Sequence, residues 1–530
     1  MTASDGDLAL VLHAHLPYVR HPEHDSFLEE DWLYEAITET YIPLLQGLEA
    51  LAADALPVRV TLSISPPLLH MLSDELLHER YRAYLARLER LAQKERARNA
   101  GDGHLGYLAR HYAERFEATA ATWDRLDGNL VGAFADLQRR GLLDLMTSAA
   151  THGYLPLMQA SPAAVRAQVR VGVEQHTRMV GQAPQGIWLP ECGYFPGLDR
   201  QLSAAGLRYF VGDTHAVLLA RPRPSQGSLA PVYCTGSGVA VFGRDVESSR
   251  QVWSRATGYP GDPVYREFYR DIGYDLDLDY IRPFVQPTGE RKSTGIKYHR
   301  ITGATDHKQL YDPYWAHRRA EEHAADFVGH RRRQLQALPP GGGPGGPIVV
   351  CPYDAELFGH WWYEGPWWLE ATLRQAAEGG PRLNHLRGYL EQNPTQQVCT
   401  PAQSSWGEGG FHAYWLNPRT EWIYPHLQMA AARMEALARI HPDADGLRRR
   451  ALNQAARELL LAQSSDWAFI ISTGTMVDYA VQRTRNHLRR FTRLHDELRG
   501  GSIDEGWLAR LEYIDNIFPE IDYGIYGEQA

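Results

Sequence analysis

Cysteine is scarce in this 530-residue chain: Cys192, Cys234, Cys351 and Cys399 lie far apart and form no CxxC pair. That spacing offers neither a disulfide framework nor a zinc ligand set, so the four read as reduced, partly buried thiols. Long apolar runs are missing too. The stretch Leu8 to Leu12 follows an acidic opening and is far too short for a secretory signal or a bilayer span, which points to a cytoplasmic protein with no membrane partner. Positive charge is in deficit, with 54 basic against 64 acidic residues and a net charge of −10, which argues against a nucleic-acid partner. No glycine-rich dinucleotide fingerprint is present. What the chain has in quantity is aromatic side chains, including 14 Trp and 28 Tyr. Many must be core, but aromatic faces also suit the apolar C–H faces of sugar rings.

Short apolar runs punctuate the first 350 residues: Leu8 to His15, Val58 to Ile64, Leu143 to Ala149, Gly186 to Pro190, Tyr209 to Val211, Val239 to Phe242 and Ile348 to Cys351. Helical stretches such as Ser161 to Val180 and Asp306 to Leu335 lie between them. Alternation of this kind predicts an α/β fold with a parallel sheet, and polar residues after many separate strands favour a barrel over an open sheet. Residues 76–124 are dense in charge and helix formers and read as an inserted helical subdomain between the barrel portions 1–75 and 125–415. Beyond residue 416 the strand signal fades, and Glu421 to Ile440, Ala444 to Gln463 and Met476 to Arg499 carry helical periodicity, so 416–530 is expected to be an all-α C-terminal domain. The run Pro339 to Pro347 is a Gly/Pro loop before a strand.

Two apolar runs end in carboxylates, Glu191 and Asp354, each followed by an aromatic, glycine-containing loop. A barrel strand presents a catalytic acid in this way at its C-terminal mouth, and paired carboxylates are what glycosidic bond chemistry uses. A helix cap is the plainer reading for Asp354, and Glu356 competes for the acid role. His13 and His15 are two apart in a strand and share a face, open to substrate contact, metal ligation or structure. His152 closes another strand. The loop Ser404 to Asn417 carries Trp406 and Trp415, which would either stack on sugars or pack the loop onto the C-terminal domain. Tyr259 stands in a Gly/Pro turn that would place it at a loop tip, a plain surface turn or a functional loop.

Together these segments resemble glycoside hydrolase family 57 at its five signature regions: His13-Ala-His15-Leu-Pro-Tyr18; Ala150-Thr-His152-Gly-Tyr154; Trp188-Leu-Pro-Glu191-Cys-Gly-Tyr194; Tyr353-Asp354 through Trp361; and Ser405-Trp406-Gly-Glu408-Gly-Gly410. Ser248-Ser-Arg250-Gln-Val-Trp253, the Tyr259 segment and Ala462-Gln-Ser-Ser-Asp466-Trp467 resemble the family's 1,4-α-glucan branching enzymes. The resemblance implies a distorted (β/α)7 barrel with a helical insertion and an all-α C-terminal domain. It implies a retaining mechanism with Glu191 as nucleophile and Asp354 as general acid/base, no metal or other cofactor, and an α-1,4-glucan such as amylose or glycogen as substrate. His13, His15, Trp32, His152, Trp188, Arg250, Tyr259, Trp406, Trp415 and Asp466 are the expected substrate contacts. An α-amylase or a 4-α-glucanotransferase would share the first half-reaction. A metal-dependent polysaccharide deacetylase would use the His-x-His pair and leave the carboxylates unnecessary.

Overall fold

The computed structural model describes residues 6–254, 257–286, 289–338 and 345–528. Most of the Gly/Pro run at 339–347 therefore lies outside the described residues, as do the first five residues and the side chain of Glu408. The strands are β1 (Asp7–Ala14), β2 (Val60–Ile64), β3 (Leu143–Ser148), β4 (Gly186–Trp188), β5 (Tyr209–Gly212), β6 (Val232–Cys234), β7 (Ala240–Gly243), β8 (Ile348–Asp354), β9 (Arg382–Leu383) and β10 (Gln397–Cys399).

Seven of them form one parallel run in the order β8-β1-β2-β3-β4-β5-β7, as the apolar, unalternating strand sequences require when both faces are covered. β6 joins antiparallel to β7, and β10 parallel to β6. The ends of the seven-stranded run meet through the Asp245 amide, which donates to the Val350 carbonyl at 2.8 Å, rather than through a paired ladder. The result is the distorted barrel expected from the sequence.

Two helices, Glu75–Arg98 and Gly103–Arg125, pack against each other between β2 and β3. The helix expected over 306–335 begins only at Pro313: Asp312 accepts from the Tyr314 and Trp315 amides as its cap, and proline takes the first turn, where its missing N–H costs nothing. After β10 the described chain is helical, with Ile423–Ile440, Gly446–Ala462, Ser465–Thr473, Val477–Gly500 and Glu505–Ile514. No described helix is long and apolar enough to cross a membrane. All four cysteines are free and buried.

One junction matters for the site. The Ser465 amide donates to the His152 carbonyl at 3.0 Å, and Gly153 bridges Ser464. The C-terminal helices thereby reach the mouth of the barrel.

Candidate active site

Register sets the floor of the site. His13 lies level with Asp354 on β8 and with Ser63 on β2. Its ring stacks on Trp188 at 4.7 Å, and His15 and His152 stack at 3.8 Å. His13 Nδ1 lies 3.2 Å from Ser63 Oγ, and its Nε2 lies 3.0 Å from His152 Nε2. Burial holds His13 and His152 well below the usual histidine pKa, so both rings are neutral and one donates to the other. His15 is buried too, which works against its charge, but Asp466 at 3.1 Å outweighs this and raises its pKa.

Glu191 occupies a tight turn after β4 at φ +61°, followed by Cys192 at +50°; His152 has φ +55°. Non-glycine residues in the left-handed region carry strain that surrounding contacts must hold, and such positions cluster at working sites. Cys192, in the same Pro190–Cys192 turn, is fully buried. The Trp406 indole N–H donates to Glu191 Oε2 at 2.7 Å, and the Ser465 hydroxyl donates to Oε1 at 3.1 Å. Burial pushes the Glu191 carboxyl up to about 7, against these two hydrogen bonds, which favour its charged form.

Asp354 ends β8. Burial raises its pKa well above the usual carboxylate range, the nearby Glu356 and Glu191 add to this, and only Arg244 opposes. Among the described residues no group donates a hydrogen bond to its carboxylate. A proton shared by the pair therefore resides on Asp354, while the donors on Glu191 hold the negative charge there. Glu356, the competitor for the acid role, differs from Asp354 in its bonds: it accepts from the His15 amide at 3.0 Å and from the Tyr41 hydroxyl, which favour its charged form against its burial.

Several expected contacts take other positions. Trp415 is fully buried and stacked on Tyr154 at 4.5 Å, so it offers no face to a sugar. Trp188 is likewise buried, and it supports His13 from below. Tyr259 is no loop tip: its ring stacks on His323 at 4.6 Å and its hydroxyl donates to Asp326 at 2.7 Å, anchoring it to the Pro313–Gln336 helix. The Gly/Pro turn was visible in sequence, but the helix that captures the ring comes from more than fifty residues downstream. Arg250 is exposed on the Val246–Trp253 helix. The arginine that acts on Asp354 is Arg244, tied to Ser249 at 2.8 Å and to Asp213 at 3.4 Å. Trp32 is half-buried, edge-on to Tyr479.

Sequence reasoning also passed over Ser465, although it lies inside the segment that carried Asp466. Nothing local to Arg244 marked it, because its meaning depends on β7 lying across from β8.

His15, His152 and Asp466 bring candidate ligand atoms within 4.8 Å of one another. The donor set fits a metal poorly. Ring lone pairs lie in the ring planes, and the His15 and His152 planes are stacked 17° from parallel, so they do not converge on one ion. Their nitrogens already bond Ser65, Asp466, His13 and Ser465.

Residues 9–403 match the family model for glycosyl hydrolase family 57, and residues 426–526 match that for the C-terminal region of 1,4-alpha-glucan branching enzyme. The 1,4-alpha-glucan branching enzyme of Thermococcus kodakarensis is 35% identical over 98% of this chain and 78% of its own length. Its crystal structure superposes with a TM-score of 0.88 at 34% identity, covering 99% and 97% of the two chains. The alpha-amylase AmyC of Thermotoga maritima superposes with a TM-score of 0.92 at 43% identity, covering 99% of both chains.

Proposed function

The chain belongs to glycoside hydrolase family 57, and from that premise we propose that it is a 1,4-α-glucan branching enzyme in which Glu191 is the nucleophile and Asp354 the general acid/base. The observation that carries the role assignment is the asymmetry of the two carboxylates. Glu191 receives two hydrogen bonds, whereas Asp354 receives none and keeps its proton.

The cycle follows from these states. A Glu191 oxygen attacks the anomeric carbon of an α-1,4-linked glucose as the bond to O4 breaks, and Asp354 gives its proton to the departing O4. A glycosyl ester on Glu191 results. The 6-hydroxyl of an acceptor glucan then attacks the same carbon, Asp354 takes the hydroxyl proton, and Glu191 leaves as carboxylate. Two inversions give net retention and an α-1,6 branch. Trp406, Ser465 and His15, whose charged form Asp466 favours, offset the charge that returns to Glu191, while neutral His13 and His152 are placed to bond sugar hydroxyls.

In this reading the chain divides into a barrel of 1–75 and 125–415, an insertion of 76–124 and a C-terminal domain of 416–530 that contributes Ser465 and Asp466 to the site. The cytoplasm, where soluble α-glucan is built, suits its four free cysteines.

Similarity to the amylase favours a second reading, hydrolysis. That likeness spans nearly the whole length, so the C-terminal region alone does not separate the two activities. Purified protein on amylose separates them: reducing ends and α-1,6 linkages are measured on the same samples, before and after debranching, with and without chelator. New α-1,6 linkages with few reducing ends, unaffected by chelator, are expected. Reducing ends without new linkages would make the chain a hydrolase.

A further inference from the structure

Beside the catalytic pair stands a second group of residues that the mechanism leaves unused. The turn that follows Asp354 carries His360 and Trp361, and the Trp361 amide donates to the Glu356 carbonyl at 3.2 Å, so this ring grows from the same turn as the acid. Trp361 is 58% exposed, although it is a large aromatic side chain seven residues beyond the buried Asp354. It is not loose. Its ring lies on Phe268 at 4.9 Å and 20°, and Phe268 is held from beyond by Lys297, whose ammonium is 4.4 Å from the ring centroid and donates to the Phe268 carbonyl.

A polar edge runs alongside. His360 Nδ1 bonds Glu39 Oε2 at 2.7 Å, and Glu35 Oε2 lies 4.0 Å from the same nitrogen. Glu39 belongs to a π-helical turn, Ile37–Tyr41, continuous with the helix Glu30–Ala36; such turns often mark functional sites. Trp32, Glu35 and Glu39 recur at helical spacing and share one face. The turn and the helix are locked together at Gly359, where φ is +111° and a Cβ would come within 1.8 Å of the Glu39 carbonyl oxygen, so no other residue fits. Glu35 has no hydrogen-bond partner among the described residues, and its carboxyl, His360 and Glu39 all remain partly open to solvent.

We propose that Trp361, stacked on Phe268, together with Glu35, Glu39 and His360, forms the platform that receives the acceptor glucan. This inference rests on the branching-enzyme reading for the word acceptor, but not for the binding of an α-glucan. A fixed, exposed indole offers its face to the C–H face of a glucose ring, and carboxylates with an imidazole at its edge accept and donate to the equatorial hydroxyls. Asp354 handles the oxygen that leaves with one chain and arrives with the next, and the Trp361 turn is tied through Glu356, a charged neighbour of Asp354, to that acid. A chain held there raises the effective concentration of its 6-hydroxyl over water. Burial pushes the Glu35 carboxyl up to about 7, so near neutrality it serves as donor as well as acceptor.

The test is Trp361→Ala with Trp361→Phe as the conservative variant; the side chain is exposed, so its removal opens no core. Two readouts are taken. In a Glu191→Gln background, maltoheptaose affinity is measured by titration calorimetry, and Trp361→Ala is expected to weaken it roughly tenfold while Trp361→Phe stays within about threefold. In the active enzyme, the ratio of reducing ends to new α-1,6 linkages is expected to rise severalfold in Trp361→Ala. Unchanged affinity together with an unchanged ratio overturns the platform. Weakened affinity in a protein whose wild type makes no α-1,6 linkages upholds the glucan platform and overturns the branching reading instead.

Discussion

Trp406 holds Glu191 twice: its amide donates to the Glu191 carbonyl at 2.9 Å and its indole N–H to the Glu191 carboxylate at 2.7 Å. One residue of the loop after β10 thus fixes both the strained backbone and the charge of Glu191, the nucleophile of the proposed cycle. The indole bond favours the carboxylate form, so its loss raises the Glu191 pKa. Trp406→Phe keeps a ring but removes this donor. We expect kcat to fall about ten- to a hundredfold, and the acid limb of the kcat/KM profile to move to higher pH, because Glu191 must be ionised to attack. A profile with an unmoved acid limb would show that the indole does not stabilise the charge.

Arg244 acts on the other carboxyl with the opposite consequence. Its positive charge is the one influence that lowers the Asp354 pKa. Arg244→Gln should raise that pKa further, keep the acid protonated to higher pH and move the basic limb upward, leaving the acid limb in place. Movement of the acid limb instead would assign Arg244 to Glu191.

Tyr259 is an anchor of its loop. Tyr259→Phe deletes the hydrogen bond to Asp326 and should cost about 1 kcal/mol of stability, read by chemical denaturation, with no change in the ratio of hydrolysis to transfer. A severalfold shift of that ratio with unaltered stability would give Tyr259 a gating role.

His176 offers a pH prediction away from the site. It is buried in the helix Pro162–Val180, neither ring nitrogen has a partner among the described residues, and burial lowers its pKa to about 3. The unfolded chain binds a proton there below its ordinary value of 6.5, whereas the folded chain does not. Stability from this group is therefore complete above pH 6.5 and is lost as pH falls toward 3, by about 2 kcal/mol at pH 5. His176→Leu should remove that loss and raise Tm more at pH 5 than at pH 8. Equal shifts at the two pH values would mean that the ring is protonated in the fold.

The distance between legible and illegible residues follows the range of the forces involved. Strand identity, the parallel sheet and the two carboxylates at strand ends were written in local patterns, because burial on both faces demands unbroken apolar runs and a barrel mouth demands polar residues after them. The helical tail was legible through its periodicity. Local pattern also misled: Trp415 and Tyr259 have the composition of exposed binding loops, yet Tyr154 covers one ring and His323 the other.

By itself, then, the chain's order of residues determined the α/β alternation and marked Glu191, Asp354, His13, His15 and His152 as candidates. Tertiary structure alone decided which acid keeps the proton, since that depends on Trp406 and Ser465 arriving from 215 and 274 residues away. It alone decided that Trp361 faces outward while Trp415 and Trp188 face inward. A side chain's type is local, but its solvent exposure and the charges around it are sums over neighbours that only the folded chain brings together.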